Sequence, residues 1–455
     1  MSSNKKTGYS IDMCSGPLLP KMLLFALPLM LSSVLQLLFN AADLVVVSRF
    51  AGDNAMAAVG ANSSLIGLMV NFLIGIAVGA NVQAARERGA GLSAALNKTV
   101  HTSVALALLG GVGMATVGIL GARVFLMRMG APEAILDQAI LYLRIYFLGT
   151  PANVVYNFGA ALLRSVGDTR RPLRYLTFAG VVNVILNLIL VIVFHLDVAG
   201  VAIATVTSQT ISALLVLRCL MREEGDIRLE LRKLRIHRES LSGILRMGLP
   251  SGIQNSLFSL SNVVIQSAVN GFGEIVVAGW AAAVNLEGFM YCAVTGFKQA
   301  TLSFTGQNVG ARRIDRIPRI MGTALICMSI ASIGIAAVSW FFGESLVGIY
   351  SSTEEVVQAG MARILITGSL YFLCGFMEIV AASTRGMGQS LLPMIVSLIG
   401  ACAFRLLWVS TIFQIPAYHT IHVIYISYPV SWFLTFLAHL VCWVFVMKRM
   451  KNSMN

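Results

Sequence analysis

Apolar runs of about 20 residues recur along the whole chain, each long enough to cross a ~30 Å hydrocarbon core as a helix. With Gly, Pro and charge as punctuation, twelve spans are predicted at 22–48, 55–82, 99–122, 134–160, 172–195, 199–220, 244–271, 277–302, 318–342, 356–382, 392–413 and 422–447. The expected fold is an all-α polytopic membrane protein, and an even number of spans puts both termini on one side. Composition agrees: 57% of the 455 residues are hydrophobic and 12% charged. Soluble domains carry about 25% charged residues, so a soluble enzyme is excluded.

The formal charge of +13 is not a nucleic-acid footprint, because Lys and Arg lie in short loops between apolar runs rather than on one solvated face. It orients the chain instead. With cytoplasmic termini, 26 Lys and Arg fall inside, among them Lys5, Lys6, Arg86, Arg88, Arg170, Arg171, Arg312 and Arg313, and only Arg49, Arg123 and Arg128 fall outside. The positive-inside rule decides for both termini in. Lys5 and Lys6 precede a long first span without a small-residue cleavage site, so that span is expected to be retained.

Residues 221–243, rich in both signs of charge, form a connector at the midpoint of the chain. A shift of 221 residues pairs Gly75 with Gly296, Glu133 with Glu354, Arg164 with Arg385, Gly167 with Gly388 and Pro172 with Pro393; one residue more pairs Pro28 with Pro250 and Asn40 with Asn262. The chain therefore reads as two pseudo-symmetric six-helix bundles, 1–220 and 244–455, joined by a flexible connector. Each half has an even number of spans, so the repeats are parallel, an arrangement suited to alternating access. Transport is the leading function on architecture alone.

Ionisable groups inside spans are costly and mark function by default. Three acids fall well inside: Asp43, Glu287 and Glu378. Asn183 and Asn187, spaced i, i+4, share one face of span five, and Thr205 sits about 9 Å below the outer mouth of span six at a rise of 1.5 Å per residue. One carboxylate with neutral oxygens suits a hard cation such as Na⁺, and the same carboxylate can carry a proton. The bland alternatives are that the asparagines are interhelical glue and that Asp43 reaches to the interface. Against a purely structural pattern, the equivalent positions of the second half are Ile265, Phe404 and Trp408.

In the second half, Glu287 and Glu378 have aromatic neighbours in sequence, Phe289, Tyr291 and Phe376, a setting that suits an organic cation. Met290 is a candidate adaptable contact. The alternative is an ion pair to Lys298 or Arg405. Gly75 and Gly79 form a GxxxG, read as close helix packing. Seven scattered cysteines and the H-x-x-H of His419 and His422 give no strong metal signal. No histidine pair suits haem, and no Walker A sequence is present. No cofactor is expected beyond the coupling ion.

Several segments resemble the multidrug and toxic compound extrusion (MATE) family. They are LPLMLSSVLQLLFNAADLVVVSRFAG in span one, AALLRSVGDTRRP before span five, NVILN within it, GVAIATVTSQ in span six and GQNVGA after span eight. The resemblance covers essentially the whole chain. It implies two six-helix lobes around a central cavity, exporting amphipathic, mostly cationic drugs in exchange for Na⁺ or H⁺. It also implies that Asp43, Asn183, Asn187 and Thr205 hold the coupling ion, with Asp43, Asn183 and Asn187 as Na⁺ ligands if Na⁺ is the ion. Some branches add an acidic site in spans seven and ten. Span seven here has no acid, and Glu378 lies about one turn from the position that branch uses, so Glu287, Glu378 and Met290 are assigned to substrate or structure.

The expected partners are small organic cations and membrane lipid, the expected location the cytoplasmic membrane, and the expected state a monomer. The alternative of related architecture is a flippase for lipid-linked sugars, whose anionic substrate would need several Arg or Lys facing the cavity. A membrane-bound enzyme would need a catalytic cluster that the spans do not offer.

Overall fold

A computed structural model describes residues 10–453, so Lys5 and Lys6 lie outside the described residues. The helices are α1 (Leu18–Phe50), α2 (Asp53–Gly89), α3 (Ser93–Arg128), α4 (Glu133–Ser165), α5 (Arg170–Leu188), α6 (Asp197–Arg222) and α7 (Arg238–Asn270), followed by α8 (Glu274–Gly310), α9 (Ile317–Gly348), α10 (Glu354–Arg363), α11 (Tyr371–Gly386), α12 (Leu391–Ser397), α13 (Phe404–Ser410) and α14 (Ile421–Asn452). No strand occurs among the described residues. π-helical turns extend α5 over Ile189–Val193 and α10 over Ile364–Gly368, and a third, Leu398–Ala403, joins α12 to α13.

Taken with these turns, the helices overlie the twelve expected spans. Most run past the apolar limits, as α8 does to Gly310, because hydropathy marks the hydrocarbon and not the end of backbone hydrogen bonding. Nine helices among the described residues are long and apolar enough to cross a membrane on composition alone, and the pair Glu354–Gly368 and Tyr371–Gly386, bent by 44°, makes a tenth. The remaining two, α4 and α7, carry more polar side chains, such as Asn153 and Asn157 or Gln254 and Asn255. Large apolar side chains stay bare on the outer faces, Phe341 at 79% and Leu120 at 77% exposure. A soluble surface rarely tolerates such patches, and lipid does.

The chain forms two compact units. The first comprises the described residues up to Asp12 with Leu31–Ser256, the second Met13–Met30 with Leu257 onward. Thus α1 belongs to the second unit as far as Met30, just past Pro28, and α7 to the first as far as Ser256.

In the first unit small residues let backbones touch, since van der Waals fit rather than the hydrophobic effect drives helix association in lipid. A Cβ on Gly75 would stand 2.4 Å from Gly252 Cα, and one on Gly79 would stand 2.1 Å from Ile244 O. The GxxxG of α2 therefore seats against a second one, Gly248 and Gly252, on α7. Asn62 Nδ2 donates to Ala139 O (3.0 Å) and Asn81 Nδ2 to Ala161 O (2.8 Å), tying α2 to α4.

The connector, expected to be flexible, is fastened to this unit. Arg88 pairs with Asp226 at 2.9 Å, Asn97 Nδ2 donates to Arg228 O at 3.1 Å, and the amides of Glu230 and His237 donate to His101 Nε2 and Thr102 Oγ1. Its backbone donors and acceptors find partners on α3, and the Asp226 carboxylate one on α2, which a charge pattern alone does not reveal. Glu230 has a pKa held below the usual carboxylate range by its hydrogen bond to Lys233.

In the second unit, the counterpart Gly296 of α8 faces Met30 and Ala26 of α1, and Asn308 Nδ2 donates to Met13 O at 3.0 Å. Gly279 meets the backbone of Gly360, and Gly375 lies against the Met328 side chain. All seven cysteines are free.

Candidate functional site

Within the first unit, α1, α4, α5 and α6 line an open cavity of about 260 Å³. Helix α1 contributes Gln36, Asn40 and Asp43, α4 contributes Tyr146, Asn153 and Asn157, α5 contributes Asn183, and α6 contributes Thr205, Ser208 and Gln209. The helices are set by local chemistry. Asp168 Oδ1 accepts the amides of Arg170 and Arg171, both at 3.1 Å, at the start of α5. Gly167, at φ +95°, turns the chain where a Cβ would strike Ile11 O. Gly180 leaves room for the Phe39 ring, and Gly149 and Gly159 bring α4 against Val206 and Val216 of α6.

Asp43 is half-buried and is the acidic member of this lining. Asn187 Nδ2 donates to Asp43 Oδ1. Asn183 and Asn187 are buried at 4% and 1% exposure, and the Oδ1 atoms of both lack a hydrogen-bond partner among the described residues. A buried acceptor left bare costs about 1–3 kcal/mol, so two of them beside a carboxylate form a shell short of a cation or a donor. Thr205 Oγ1 gives its proton to Val201 O at 2.9 Å, leaving lone pairs toward the cavity. Gln209 Oε1 is likewise bare.

The structure thus brings Asp43, Asn183, Asn187 and Thr205 together. Sequence reasoning missed Gln36, Asn40, Asn153, Asn157 and Gln209. Gln36, Asn40 and Asp43 follow i, i+4, i+7 on one helix face, and Asn153 and Asn157 follow i, i+4, a pattern that a search for polar stripes in apolar spans would find.

Glu287, Glu378 and Met290 lie in the second unit. Arg363 holds Glu287 in a bidentate pair, Nε to Oε1 at 2.8 Å and Nη2 to Oε2 at 2.7 Å, and Thr367 donates to the same carboxylate. The ion-pair alternative for these acids named Lys298 or Arg405; Glu287 takes Arg363 instead, from the end of α10, with Thr367 in the π-helical turn one helical turn further on. Glu378 pairs with Lys298 at 3.2 Å, and Lys298 also donates to Tyr291 Oη at 3.1 Å. Met290 packs against Gly368. His419 stacks on Phe413 at 4.2 Å, its Nδ1 bonded to Phe413 O.

A family model, MatE, matches residues 28–189 and 250–408. The probable multidrug resistance protein YoeA of Bacillus subtilis is 27% identical over 94% of each chain. A FAD transporter of Shewanella oneidensis is 23% identical over 84% of this chain and 86% of its own. Among solved structures, the outward-facing conformation of a multidrug resistance MATE family transporter superposes with a TM-score of 0.92 at 22% identity, covering 98% of this chain and 100% of that one; at that identity the likeness speaks for the fold. The chain belongs to the MATE family. It is a multi-pass membrane transporter and not an enzyme.

Proposed function

We propose that this protein is an antiporter that exports small organic compounds, mostly amphipathic and cationic, across the cytoplasmic membrane in exchange for Na⁺ or H⁺. The observation that carries this reading is the pair of bare, buried amide oxygens of Asn183 and Asn187 beside the carboxylate of Asp43. Na⁺ would be held by Asp43, Asn183 and Asn187 with the Thr205 hydroxyl beside them; H⁺ would sit on Asp43. The name of the YoeA relative supports drug-like cargo. The charge asymmetry of the loops supports cytoplasmic termini, and the chain acts as a monomer with lipid around it.

Exchange follows from competition. Ionised Asp43 favours the state that takes up the coupling ion from outside, and ion binding repacks α1 so that cargo leaves. Pro28, which deprives α1 of one backbone hydrogen bond, lies two residues before Met30, where α1 leaves the second unit. Substrate contacts at Glu287 or Glu378 require their ion pairs to open during the cycle, with Met290 as an apolar contact beside them. The test is ethidium efflux from energised vesicles under an imposed Na⁺ or pH gradient. Efflux that follows one gradient and disappears in Asp43→Asn supports the reading and names the ion; efflux indifferent to both gradients overturns it. Export unchanged by Pro28→Ala removes the bending step alone.

A further inference from the structure

The arginines buried in the described residues, Arg363, Arg385 and Arg405, all lie in the second unit. With Lys298 they make four cations around two buried carboxylates, Glu287 and Glu378. An uncompensated charge inside a membrane protein is expensive and marks a pathway or a ligand.

The surplus is concentrated in an aromatic cluster. The Arg363 guanidinium lies 3.7 Å over the Trp280 ring and 4.9 Å from that of Tyr428, while Arg405 lies 4.2 Å from the same Tyr428 ring. One tyrosine therefore serves two guanidinium groups, and the one carboxylate there, Glu287, is paired to Arg363 alone. Arg405 has no ion pair among the described residues; its Nε donates to Ser431 Oγ at 2.8 Å. Two further donors in the cluster are orphaned: Arg363 Nη1 and Tyr425 Oη are fully buried without an acceptor. Tyr425 stacks on Trp280 at 5.8 Å, and its ring lies 5.8 Å from the Arg363 guanidinium. Excess positive charge, orphaned N–H and O–H donors and aromatic walls share one complement, an acceptor with a negative charge. The π-helical turn Ile364–Gly368, a distortion that often marks function, sits directly after Arg363.

We propose that the second unit binds a small monovalent anion, a halide or the carboxylate of an organic solute, between Arg363, Arg405 and Tyr425. The tight packing around fully buried Tyr425 limits the guest to a small ion or one carboxylate group. The site is separate from the cation shell at Asp43 and does not rest on the identity of the coupling ion.

The test is bromide titration of the purified full-length protein at constant ionic strength, balanced with sulfate and read by tryptophan fluorescence. Trp280 is the reporter, and a Trp340→Phe background removes an indole that is 65% exposed. The expected result is saturable quenching that weakens about tenfold in Arg405→Gln and about fivefold in Tyr425→Phe, the second a change that keeps the packing. Displacement by acetate or benzoate extends the site to organic carboxylates; saturation without displacement restricts it to inorganic ions. The same bromide affinity in Asp43→Asn separates this site from the cation shell. Quenching that rises linearly and is identical in Tyr425→Phe means collision alone, with water on the orphaned donors, and overturns the proposal.

Discussion

Where the first repeat places Asp43, Asn183 and Asn187, the second places Ile265, Phe404 and Trp408. In the first unit those side chains turn toward one another and leave amide oxygens bare around a carboxylate. In the second, Ile265 is fully buried, Phe404 and Trp408 pack ring to ring at 5.6 Å, and the Trp408 indole donates to Val423 O. The polar load has moved to other helices, where arginines outnumber acids. A duplicated scaffold thus holds two interiors of opposite electrostatic character, because a helix bundle fixes where side chains meet and leaves their chemistry free.

The comparison breaks most readily at Asp43. Replacing a charge-assisted ligand by a neutral amide removes about 2–3 kcal/mol of ion binding, roughly 30–150-fold, so Asp43→Asn is expected to bring gradient-driven ethidium efflux to background while the melting temperature in detergent stays near that of the parent. Asn183→Leu weakens coupling by about tenfold on the same scale, since it removes one neutral oxygen.

Glu287→Gln is expected to do the reverse. It strands Arg363 in the interior, and breaking a buried pair from one side costs about 3–5 kcal/mol, which a thermal melt reads as a large fall. The double change Glu287→Met with Arg363→Met recovers most of it. Should Glu287→Gln melt like the parent and abolish efflux instead, the acid belongs to transport and the contrast between the units fails.

A smaller effect separates the two helix contacts. Gly79→Ala drives a methyl into Ile244 O, overpacking that costs about 1–3 kcal/mol. Gly296→Ala meets chiefly the Met30 side chain, which can swing aside, so its melt is expected to shift less. Equal shifts would remove the distinction between the anchored half of α7 and the softer seat of α1.

Much of this is legible in the sequence. The length and spacing of apolar runs set the spans, because backbone polar groups in lipid must be satisfied within a helix. The four polar residues of the first unit were legible as well, because ionisable and amide groups stand out against an apolar background. Less visible were Gln36, Asn153 and Gln209, whose types also occur at interfaces and ordinary helix contacts. The pairing of Glu287 with Arg363 was not legible: the two are 76 positions apart, and a π-helical turn sets the angle at which Arg363 returns. The docked connector was hidden for a related reason, since its fastenings are backbone groups held by α3 and an ion pair, Arg88 with Asp226, between residues 138 positions apart.

The sequence by itself determined the membrane class, the spacing of the spans, the duplication and the asymmetry between its halves, all of which follow from one-dimensional spacing of apolar and charged residues. Only the tertiary structure decided which acid is free and which is spent. That distinction depends on whether a cation from another helix lies within about 3 Å, and a Coulomb contact inside a low-dielectric interior is set by packing across the bundle rather than by neighbours along the chain.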